Sequence, residues 1–337
     1  MGNESWPSIS FRAMGADCFI AVEPGPHCDE LLKRGRLEVD RFEETFSRFK
    51  AGSELSRLNA SGGGLVSKEM RDLLEVALDL ESRTHGLFSV ALLGEIGRVG
   101  YDRDFEEIDR SGTQEIEMPE GAQTLGDPIA RRPRITLDGS TLRIARGSGV
   151  DLGGVAKGWS AQRVAVLLGD DGGALVDLGG DLFAVGPGPA GGLWPIALDH
   201  GAGDICTLTI AEGATCTSST LRRRWFLGGH EVHHIIDPRT GGAAAEELVA
   251  VSVVAKSGAG AEAMAKAAIV GGVRHGLSLL GALDADAIAT SRDGVVYGVG
   301  ELFAGVTETA TVRVRAGGPE VGRSSANSIA PEPSVAP

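Results

Sequence analysis

Two different spacings of apolar residues follow one another irregularly along this chain, and this order limits the folds that it can adopt. Helical spacing occurs in four segments: 29–49, 68–84, 158–168 and 259–280. Strand-like spacing or short apolar runs occur at residues 8–22, 134–145, 174–185, 194–198, 207–210, 232–236, 248–254, 287–290 and 294–299. A parallel sheet needs a crossover, usually a helix, between successive strands. Because several strands follow one another without a helix, the sequence predicts an α+β fold.

Length and composition bound the domain organisation. With 337 residues, of which 42% are apolar, the chain can bury a large core in one domain or in two closely packed lobes. Residues 316–337 are rich in proline, serine and glycine and contain almost no large apolar side chain. Such a segment cannot bury enough surface to offset its ordering entropy, so we expect a disordered tail after one domain at residues 1–315.

The formal net charge of −14 argues against two classes of partner. So acidic a surface repels nucleic acid and anionic membranes, and no run reaches the roughly 18 apolar residues of a membrane span. An anionic ligand would need a local cation, a metal ion or backbone N–H groups. The four cysteines lack metal-binding spacing and the N-terminus lacks a signal-peptide pattern, so we expect free thiols and a cytoplasmic location.

A first candidate site lies where a predicted strand meets a helix, at residues 151–159 (DLGGVAKGW). Three glycines, Asp151 and Lys157 surround the predicted helix start, and N–H groups at a helix N-terminus beside a lysine suit a phosphate. The segment is neither a Walker A loop nor a G-x-G-x-x-G motif. An ordinary glycine-rich turn explains the same residues equally well.

Two further segments carry side chains suited to chemistry. Residues 233–241 (HHIIDPRTG) place two histidines at a strand end before an Asp-Pro turn. Neighbouring strand residues point to opposite faces, so only one histidine can enter a given site, and a structural role is at least as common as catalysis. Residues 217–225 (TSSTLRRRW) supply hydroxyls and three cations for an anion contact, although a solvated charge run is the usual explanation.

These segments, in this order, resemble the ApbE family of FAD:protein FMN transferases. The resemblance extends over roughly residues 10–300. Its motifs are Met14-Gly15, FSRF at 46–49, SELSRLN at 53–59, GLF at 86–88, residues 151–158, VDLGGD at 176–181, TSS at 217–219, residues 233–241 and the helix at 261–272. Each motif is modest by itself, but their shared order argues against chance.

The resemblance implies a fold of mixed sheets flanked by helices, with the flavin in a cleft between two lobes. It also implies, by position, a set of FAD contacts, a magnesium site and a catalytic base. The FAD contacts are Met14, Phe49, Leu87, Phe88, Ser89, Asp151, Lys157 and Ile236. The metal site would be formed at Gly154, Glu262, Ala265 and Lys266, and the base would be His234.

The activity implied by the resemblance is transfer of FMN from FAD to a threonine or serine hydroxyl of another protein, with release of AMP. The ion Mg²⁺ would stabilise charge on the pyrophosphate, and His234 would take the hydroxyl proton. The partner would be an acceptor protein with an FMN-binding domain. Two alternatives need the same pocket: a protein that binds FAD without transfer, and a pyrophosphatase that splits FAD with water.

The chain departs from the family pattern at the metal site. The late helix of the family reads Asp-Ala-x-x-Thr, whereas this chain has Glu262 and Lys266, and it has Ser89 and Gln162 where the family often has Asp. A charged lysine has no lone pair for a metal. We therefore expect weakened magnesium dependence, with Lys266 partly replacing the ion or with transfer slow or absent. An ordinary surface ion pair between Glu262 and Lys266 is the remaining alternative.

Overall fold

The computed structural model describes residues 6–108, 135–201 and 204–304, so the predicted tail at 316–337 lies outside the described residues. The helices are α1 (Cys28–Phe46), α2 (Glu54–Ser61), α3 (Lys68–Arg83), α4 (Leu93–Arg98), α5 (Ala156–Leu168) and α6 (Gly258–Ala282). The strands are β1 (Ser8–Ala13), β2 (Ala16–Val22), β3 (Gly63–Leu65), β4 (Ile135–Asp138), β5 (Thr141–Ile144), β6 (Ala174–Leu178), β7 (Asp181–Val185), β8 (Trp194–Asp199), β9 (Asp204–Ile210), β10 (Gly213–Ser219), β11 (Arg224–Leu227), β12 (His230–His233), β13 (Leu248–Ala255), β14 (Asp286–Ser291) and β15 (Val296–Val299). Among the helices of these described ranges, none combines the length and the apolar character needed to cross a membrane.

An eight-stranded antiparallel sheet forms the centre of the fold. Its strand order is β1-β2-β6-β7-β10-β13-β14-β15, and each neighbouring pair is antiparallel. Three small antiparallel sheets accompany it: β3-β5-β4, β8-β9 and β11-β12. This combination of helices with antiparallel sheets confirms the predicted α+β class.

Two segments that were predicted as single strands are hairpins. The segment 134–145 contains β4 and β5, which are joined at Gly139 with a φ of 56°. The segment 174–185 contains β6 and β7, joined through Gly179 and Gly180 with φ values of 75° and 89°. Glycine adopts this left-handed backbone without a steric penalty and so reverses the chain. The apolar spacing continues on both sides of each turn, which is why periodicity alone does not reveal it.

The central strands separate two cores. Val176 of β6 and Phe183 of β7 are buried beneath the helices, whereas Leu175 and Leu182 pack with the β8–β9 hairpin on the other face. Side chains of a strand alternate between its two faces. Because both faces of these strands are covered, residues 182–185 of β7 are all apolar.

Helices α1, α5 and α6 cover one face of the sheet, and α5 and α6 meet at a pair of glycines. A Cβ atom at Gly158 would lie 2.2 Å from the carbonyl oxygen of Gly258, and a Cβ atom at Gly258 would lie 2.0 Å from that of Gly158. A larger residue at either position would overlap the facing backbone. This close crossing brings Glu262 of α6 within hydrogen-bond distance of the first turn of α5.

Some elements were not predicted from the sequence. Helix α2 is short, begins where the Ser53 side chain accepts a hydrogen bond from the N–H of Ser56, and ends at Gly62 with a φ of 75°. Strand β10 lies inside the main sheet, between β7 and β13, although its alternate residues are polar; the hydroxyl of Thr217 lies 2.7 Å from that of Ser252 on β13. Neither element has enough apolar residues for a pattern to indicate it.

Candidate active site

A cavity lies where the β1–β2 turn, the end of α1, the start of α5 and the segment after β12 come together. Nearly all of the residues predicted for the site line it. They are Met14, Phe49, Leu87, Phe88, Ser89, Asp151, Gly154, Lys157, His234, Ile236 and Lys266. The other two predicted residues, Glu262 and Ala265, are fully buried and do not belong to the lining. The fold thus brings together side chains from both ends of the chain.

Beside the cavity, Lys157, Asp181, Glu262 and Lys266 form a buried group that we call the four-charge cluster. The Oε1 atom of Glu262 accepts hydrogen bonds from the Nζ atoms of Lys157 at 3.1 Å and Lys266 at 3.0 Å. Its Oε2 atom accepts one from the N–H of Gly158 at 2.8 Å. Lys157 also donates to Asp181. Two ammonium groups balance two carboxylates, which is how buried charges are stabilised.

The four-charge cluster shifts the pKa values of Lys157, Glu262 and Asp181. Burial alone would lower the pKa of Lys157, but the charges of Asp181 and Glu262 outweigh it and raise that pKa. Burial alone would raise the pKa of Glu262, but Lys157 and Lys266 bring it below its ordinary value. Burial, assisted by the charge of Glu262, raises the pKa of Asp181. Lys157 and Glu262 are therefore held in their charged forms.

The two adjacent histidines have different surroundings. His233 is buried; its Nδ1 atom accepts a hydrogen bond from the N–H of Ile235 at 3.2 Å, and its Nε2 atom lies 3.1 Å from the carbonyl oxygen of Ala244. These two contacts fix its tautomer, with the proton on Nε2. His234 lines the cavity instead, and its Nδ1 atom has no hydrogen-bond partner within the described part of the chain.

The surroundings of His234 keep its imidazole neutral. Burial is the main cause of a pKa well below the ordinary value, and the positive charges of Arg223 and Lys266 lower the pKa further. A neutral imidazole keeps a lone pair on one ring nitrogen, as a general base requires. His234 is therefore a neutral histidine in the cavity wall, and its role as a general base stays a prediction.

Of the three consecutive arginines, only the middle one lines the cavity. Arg223 donates hydrogen bonds to the carbonyl oxygen of Gly15 at 3.1 Å and to the hydroxyl of Tyr101 at 3.4 Å. Arg222 pairs with Asp199 outside the cavity, and Arg224 pairs with two glutamates, Glu231 and Glu246. Of the three arginines predicted to contact an anion, only Arg223 is placed to do so in the cavity. Its two neighbours have other partners.

Several cavity residues were missed by the sequence analysis. The Oε1 atom of Glu43 accepts a hydrogen bond from the N–H of Met14 at 2.6 Å, which supports the uncommon positive φ of 51° at Met14. The Arg48 guanidinium lies 4.3 Å from the ring centroid of Phe49 and 4.4 Å from that of Tyr101. Neither Glu43 nor Tyr101 stands out by residue type or spacing, so the sequence holds no signal for their roles.

The comparison with known families agrees with this arrangement. The family model described as "ApbE family" matches residues 14–289, which is most of the chain. The chain belongs to the ApbE family. Among its relatives, the FAD:protein FMN transferase of Treponema pallidum (strain Nichols) is 30% identical over 298 residues, which cover 79% of each chain. A Klebsiella pneumoniae (strain 342) protein of the same name is 27% identical and covers 73% of this chain and 77% of its own.

Solved ApbE structures have the same fold. The ApbE protein of Thermotoga maritima superposes with a TM-score of 0.75 at 22% identity, covering 88% of this chain and 97% of its own. The Pseudomonas stutzeri flavinyl transferase ApbE superposes with a TM-score of 0.74 at 20% identity, covering 91% and 98%. These similarities confirm the predicted ApbE-like fold.

The residues of this ApbE protein do not fit the magnesium site that its family implies. Both carboxylate oxygens of Glu262 already accept hydrogen bonds, and two of the three donors are the ammonium groups of Lys157 and Lys266. Lys266 itself has no lone pair to offer. Within the described ranges, no group of three or more His, Cys, Asp or Glu side chains is arranged to hold a metal ion. Apart from the backbone carbonyls of Gly154 and Ala265, the four-charge cluster leaves one carboxylate oxygen without a hydrogen-bond partner in the described residues, Oδ1 of Asp181, and that carboxylate already binds the Lys157 ammonium.

The remaining departures from the ApbE pattern have structural partners. The Ser89 hydroxyl donates to Oε2 of Glu81 at 3.1 Å, and Oε1 of Gln162 accepts from the N–H of Gly258 at 3.0 Å. The Glu262–Lys266 ion pair, which we considered as a surface pair, does form. It is not a surface pair, because Glu262 is fully buried and the Lys266 side chain is 16% exposed. Its position in the cavity wall makes it part of the site.

Proposed function

We propose that this protein is an FAD:protein FMN transferase, as its relative from Treponema pallidum is named. The observation that carries the proposal is the arrangement around His234. The neutral imidazole of His234 lines a cavity that also contains cationic side chains, among them Lys266 and Arg223. Phosphoryl transfer needs a base for the nucleophile and positive charge at the phosphates, and this cavity offers both.

In the proposed reaction a threonine or serine hydroxyl of an acceptor protein attacks the phosphorus atom on the FMN side of the FAD pyrophosphate. A new oxygen–phosphorus bond forms, and the bond from that phosphorus to the bridging oxygen breaks. AMP leaves with the electron pair of the broken bond, and the hydroxyl proton passes to His234. The products are a protein–FMN phosphoester and AMP, so the atoms of FAD and of the acceptor are all accounted for.

We propose that the predicted lining residues contact FAD. Phe49 is 39% exposed at the cavity, and an exposed aromatic ring next to the Arg48 guanidinium suits stacking of a flat flavin or adenine ring. Met14, Leu87, Phe88 and Ile236 add apolar surface to the cavity, and Ser89 and Asp151 add polar atoms. The ammonium of Lys157 is directed at two carboxylates, so its contribution to FAD binding is to position Glu262.

We propose further that the acceptor carries an FMN-binding domain with the modified threonine or serine, and that both proteins act in the cytoplasm. A cytoplasmic location is supported by the four cysteines, all of which are free thiols, as reducing compartments favour. Magnesium was part of the function expected from the family. Since the donor set does not fit that ion, the proposed reaction contains no step that depends on it.

Two other activities would use the same cavity, namely FAD binding without transfer and hydrolysis of FAD to FMN and AMP. Product analysis separates them from the proposal. The protein is incubated with FAD, with and without an acceptor domain, and AMP, free FMN and protein-bound flavin are measured. We expect AMP to form only with the acceptor and in an amount equal to the bound flavin. AMP with free FMN in the absence of acceptor, or bound FAD without AMP, would contradict transfer.

A further inference from the structure

Lys266 lies directly against the glycine loop that begins α5. A Cβ atom on Gly154 would be 3.3 Å from Cδ of Lys266 and 3.6 Å from its Cε, so the lysine side chain passes along the face that this glycine leaves open. Its Nζ atom is held by Glu262 at 3.0 Å, and its side chain lines the cavity. The ammonium is therefore fixed at the cavity wall rather than free in solvent.

The ammonium of Lys266 keeps donors for a ligand. An ammonium group has three N–H donors. Among the described residues, Glu262 is the hydrogen-bond and ion-pair partner of Lys266, and it takes one of those donors. The remaining two can reach an anion in the cavity. Lysine binds phosphate groups as a point charge, and Arg223 adds a further cation to the same cavity.

The charge balance of the four-charge cluster depends on Lys266. With it, two ammonium groups face two carboxylates, and a divalent cation would meet a site that is already neutral. Without it, Lys157 alone would face Asp181 and Glu262, and the cluster would have an excess negative charge. A buried excess charge is unfavourable unless a cation compensates it. Removal of Lys266 should therefore create a requirement for an added cation.

Building on the proposed function, we propose that Lys266, held by Glu262, is a fixed cation for the FAD pyrophosphate, and that this protein binds FAD without a divalent metal ion. The lysine supplies one fixed positive charge at the cavity wall, where the family resemblance implies a metal ligand. Glu262 acts as the positioning residue, because it holds the ammonium and is too deeply buried to touch the ligand itself.

The test is calorimetric titration of the protein with FAD, once in EDTA and once in excess magnesium. We expect the Kd of the parent protein to be the same in both. Lys266→Thr should weaken binding in EDTA by about ten- to one-hundredfold, since hydrogen bonds to charged groups contribute that much to affinity. Magnesium should restore binding to this variant, because the threonine offers an oxygen and Glu262 loses one of its two ammonium partners. Lys266→Arg should keep metal-free binding.

A matched control variant shows whether an effect on FAD binding comes from the cavity or from replacing any paired lysine by threonine. Lys68 on α3 also forms an i,i+4 pair, with Asp72 at 2.6 Å, but its side chain is 70% exposed and it does not line the cavity. Lys68→Thr should bind FAD like the parent protein in both buffers. Thermal unfolding of each variant shows whether it is folded.

The outcomes distinguish this inference from the proposed function. If the parent protein binds FAD only with magnesium, or if Lys266→Thr binds FAD in EDTA as tightly as the parent does, the inference is overturned while transfer stands. If the parent protein binds no FAD in either buffer, both the inference and the proposed function are wrong. The parent titration in EDTA gives this answer even if the variants fail to fold.

Discussion

His233 and His234 are neighbours in the sequence, yet their rings have different partners. The ring of His233 bonds to the backbone at Ile235 and Ala244, whereas the ring of His234 faces the cavity with a nitrogen that has no partner in the described residues. The predicted strand over 232–236 ends earlier in the structure: β12 stops at His233, and His234 lies in the bend that follows it. His233 is thus held by the backbone, and we expect His234 to be the histidine that takes part in proton transfer.

We expect His234→Ala to lower the rate of FMN transfer by about 10²- to 10⁴-fold, the usual contribution of a general base, with little change in FAD affinity. His233→Ala should leave transfer nearly unchanged and instead lower the free energy of unfolding by about 1–3 kcal/mol, because it leaves buried backbone groups unpaired. Single-turnover transfer rates and urea unfolding measure the two effects. Equal transfer rates in both variants would show that His234 is not the base.

The arginine run allows a second comparison at single residues. Arg223→Gln removes a cation from the cavity and should weaken FAD binding by about tenfold or more, since charged hydrogen bonds contribute about 1.5–3 kcal/mol. Arg222→Gln removes a cation that pairs with Asp199 at the surface and should leave FAD affinity unchanged. Titration of both variants with FAD makes the comparison, and an equal loss in both would mean that only the overall charge matters.

Among the secondary-structure elements, the crossing of α5 and α6 determines the geometry of the cavity wall. The two glycines let the helix starts approach until backbone meets backbone, and this contact puts the N–H of Gly158 on Glu262 at 2.8 Å. Glu262 in turn holds both lysines of the four-charge cluster. The position of the cationic groups therefore depends on how closely the helices pack.

Gly258→Ala should separate the two helix starts, because the new Cβ atom would lie 2.0 Å from a carbonyl oxygen. We expect a loss of about 1–3 kcal/mol in the free energy of unfolding, as for other overpacked sites, together with weaker FAD binding. Gly281→Ala, near the other end of α6, meets nothing within 4 Å and should be neutral or stabilising by up to about 1 kcal/mol. Unfolding midpoints of the two variants check this, and equal midpoints would contradict the close contact.

The sequence predicted the long elements well because their apolar spacing is regular. Each end of helices α1, α3, α5 and α6 lies within three residues of the end that was predicted for it. The function of the glycines at 151–158 could not be predicted in full. Their spacing indicated a phosphate cradle, but Gly158 serves the contact with α6, and the Lys157 ammonium is paired with carboxylates. Spacing cannot show which distant backbone a glycine faces.

For the molecule as a whole, the two faces of the main sheet pack against different elements. One face packs beneath the helices and the cavity, and the other packs with the β8–β9 hairpin. At the end of that hairpin His200 is almost completely buried, with Nδ1 at 2.7 Å from the Thr290 hydroxyl and Nε2 at 2.9 Å from the Ser252 hydroxyl. Burial lowers the pKa of His200 to about 4, so the ring is neutral in the folded protein.

This buried histidine makes stability depend on pH. The ordinary pKa of 6.5 applies to the unfolded chain and about 4 to the folded protein. The unfolded state therefore binds the proton first, and stability that is present above about pH 6.5 is lost as the pH falls towards 4. The difference of about 2.5 pKa units corresponds to a loss on the order of 3 kcal/mol. Urea unfolding across this range should show a clearly smaller loss for His200→Gln, and an equal loss would rule out His200 as a cause.

The sequence predicted which residues meet in the cavity only at positions that match the family pattern. The cavity residues that match the pattern meet in space, as the resemblance implied, although their roles stay predictions. Glu43, Tyr101 and Asp181 become site neighbours only through packing between distant segments. The cationic side chains in the cavity of this acidic chain are also brought together by packing between distant segments. The chain has a net charge of −14, but its fold brings Lys266 and Arg223 to one cavity.

The mass of an acceptor protein tests the central claim most directly. An acceptor with an FMN-binding domain is incubated with FAD and this protein, in EDTA, and then weighed by intact mass spectrometry. We predict that the acceptor gains the mass of one FMN phosphoester, that its Thr/Ser→Ala variant gains nothing, and that the His234→Ala enzyme does not support the gain. An acceptor of unchanged mass, with the parent enzyme folded and FAD bound, would contradict the account.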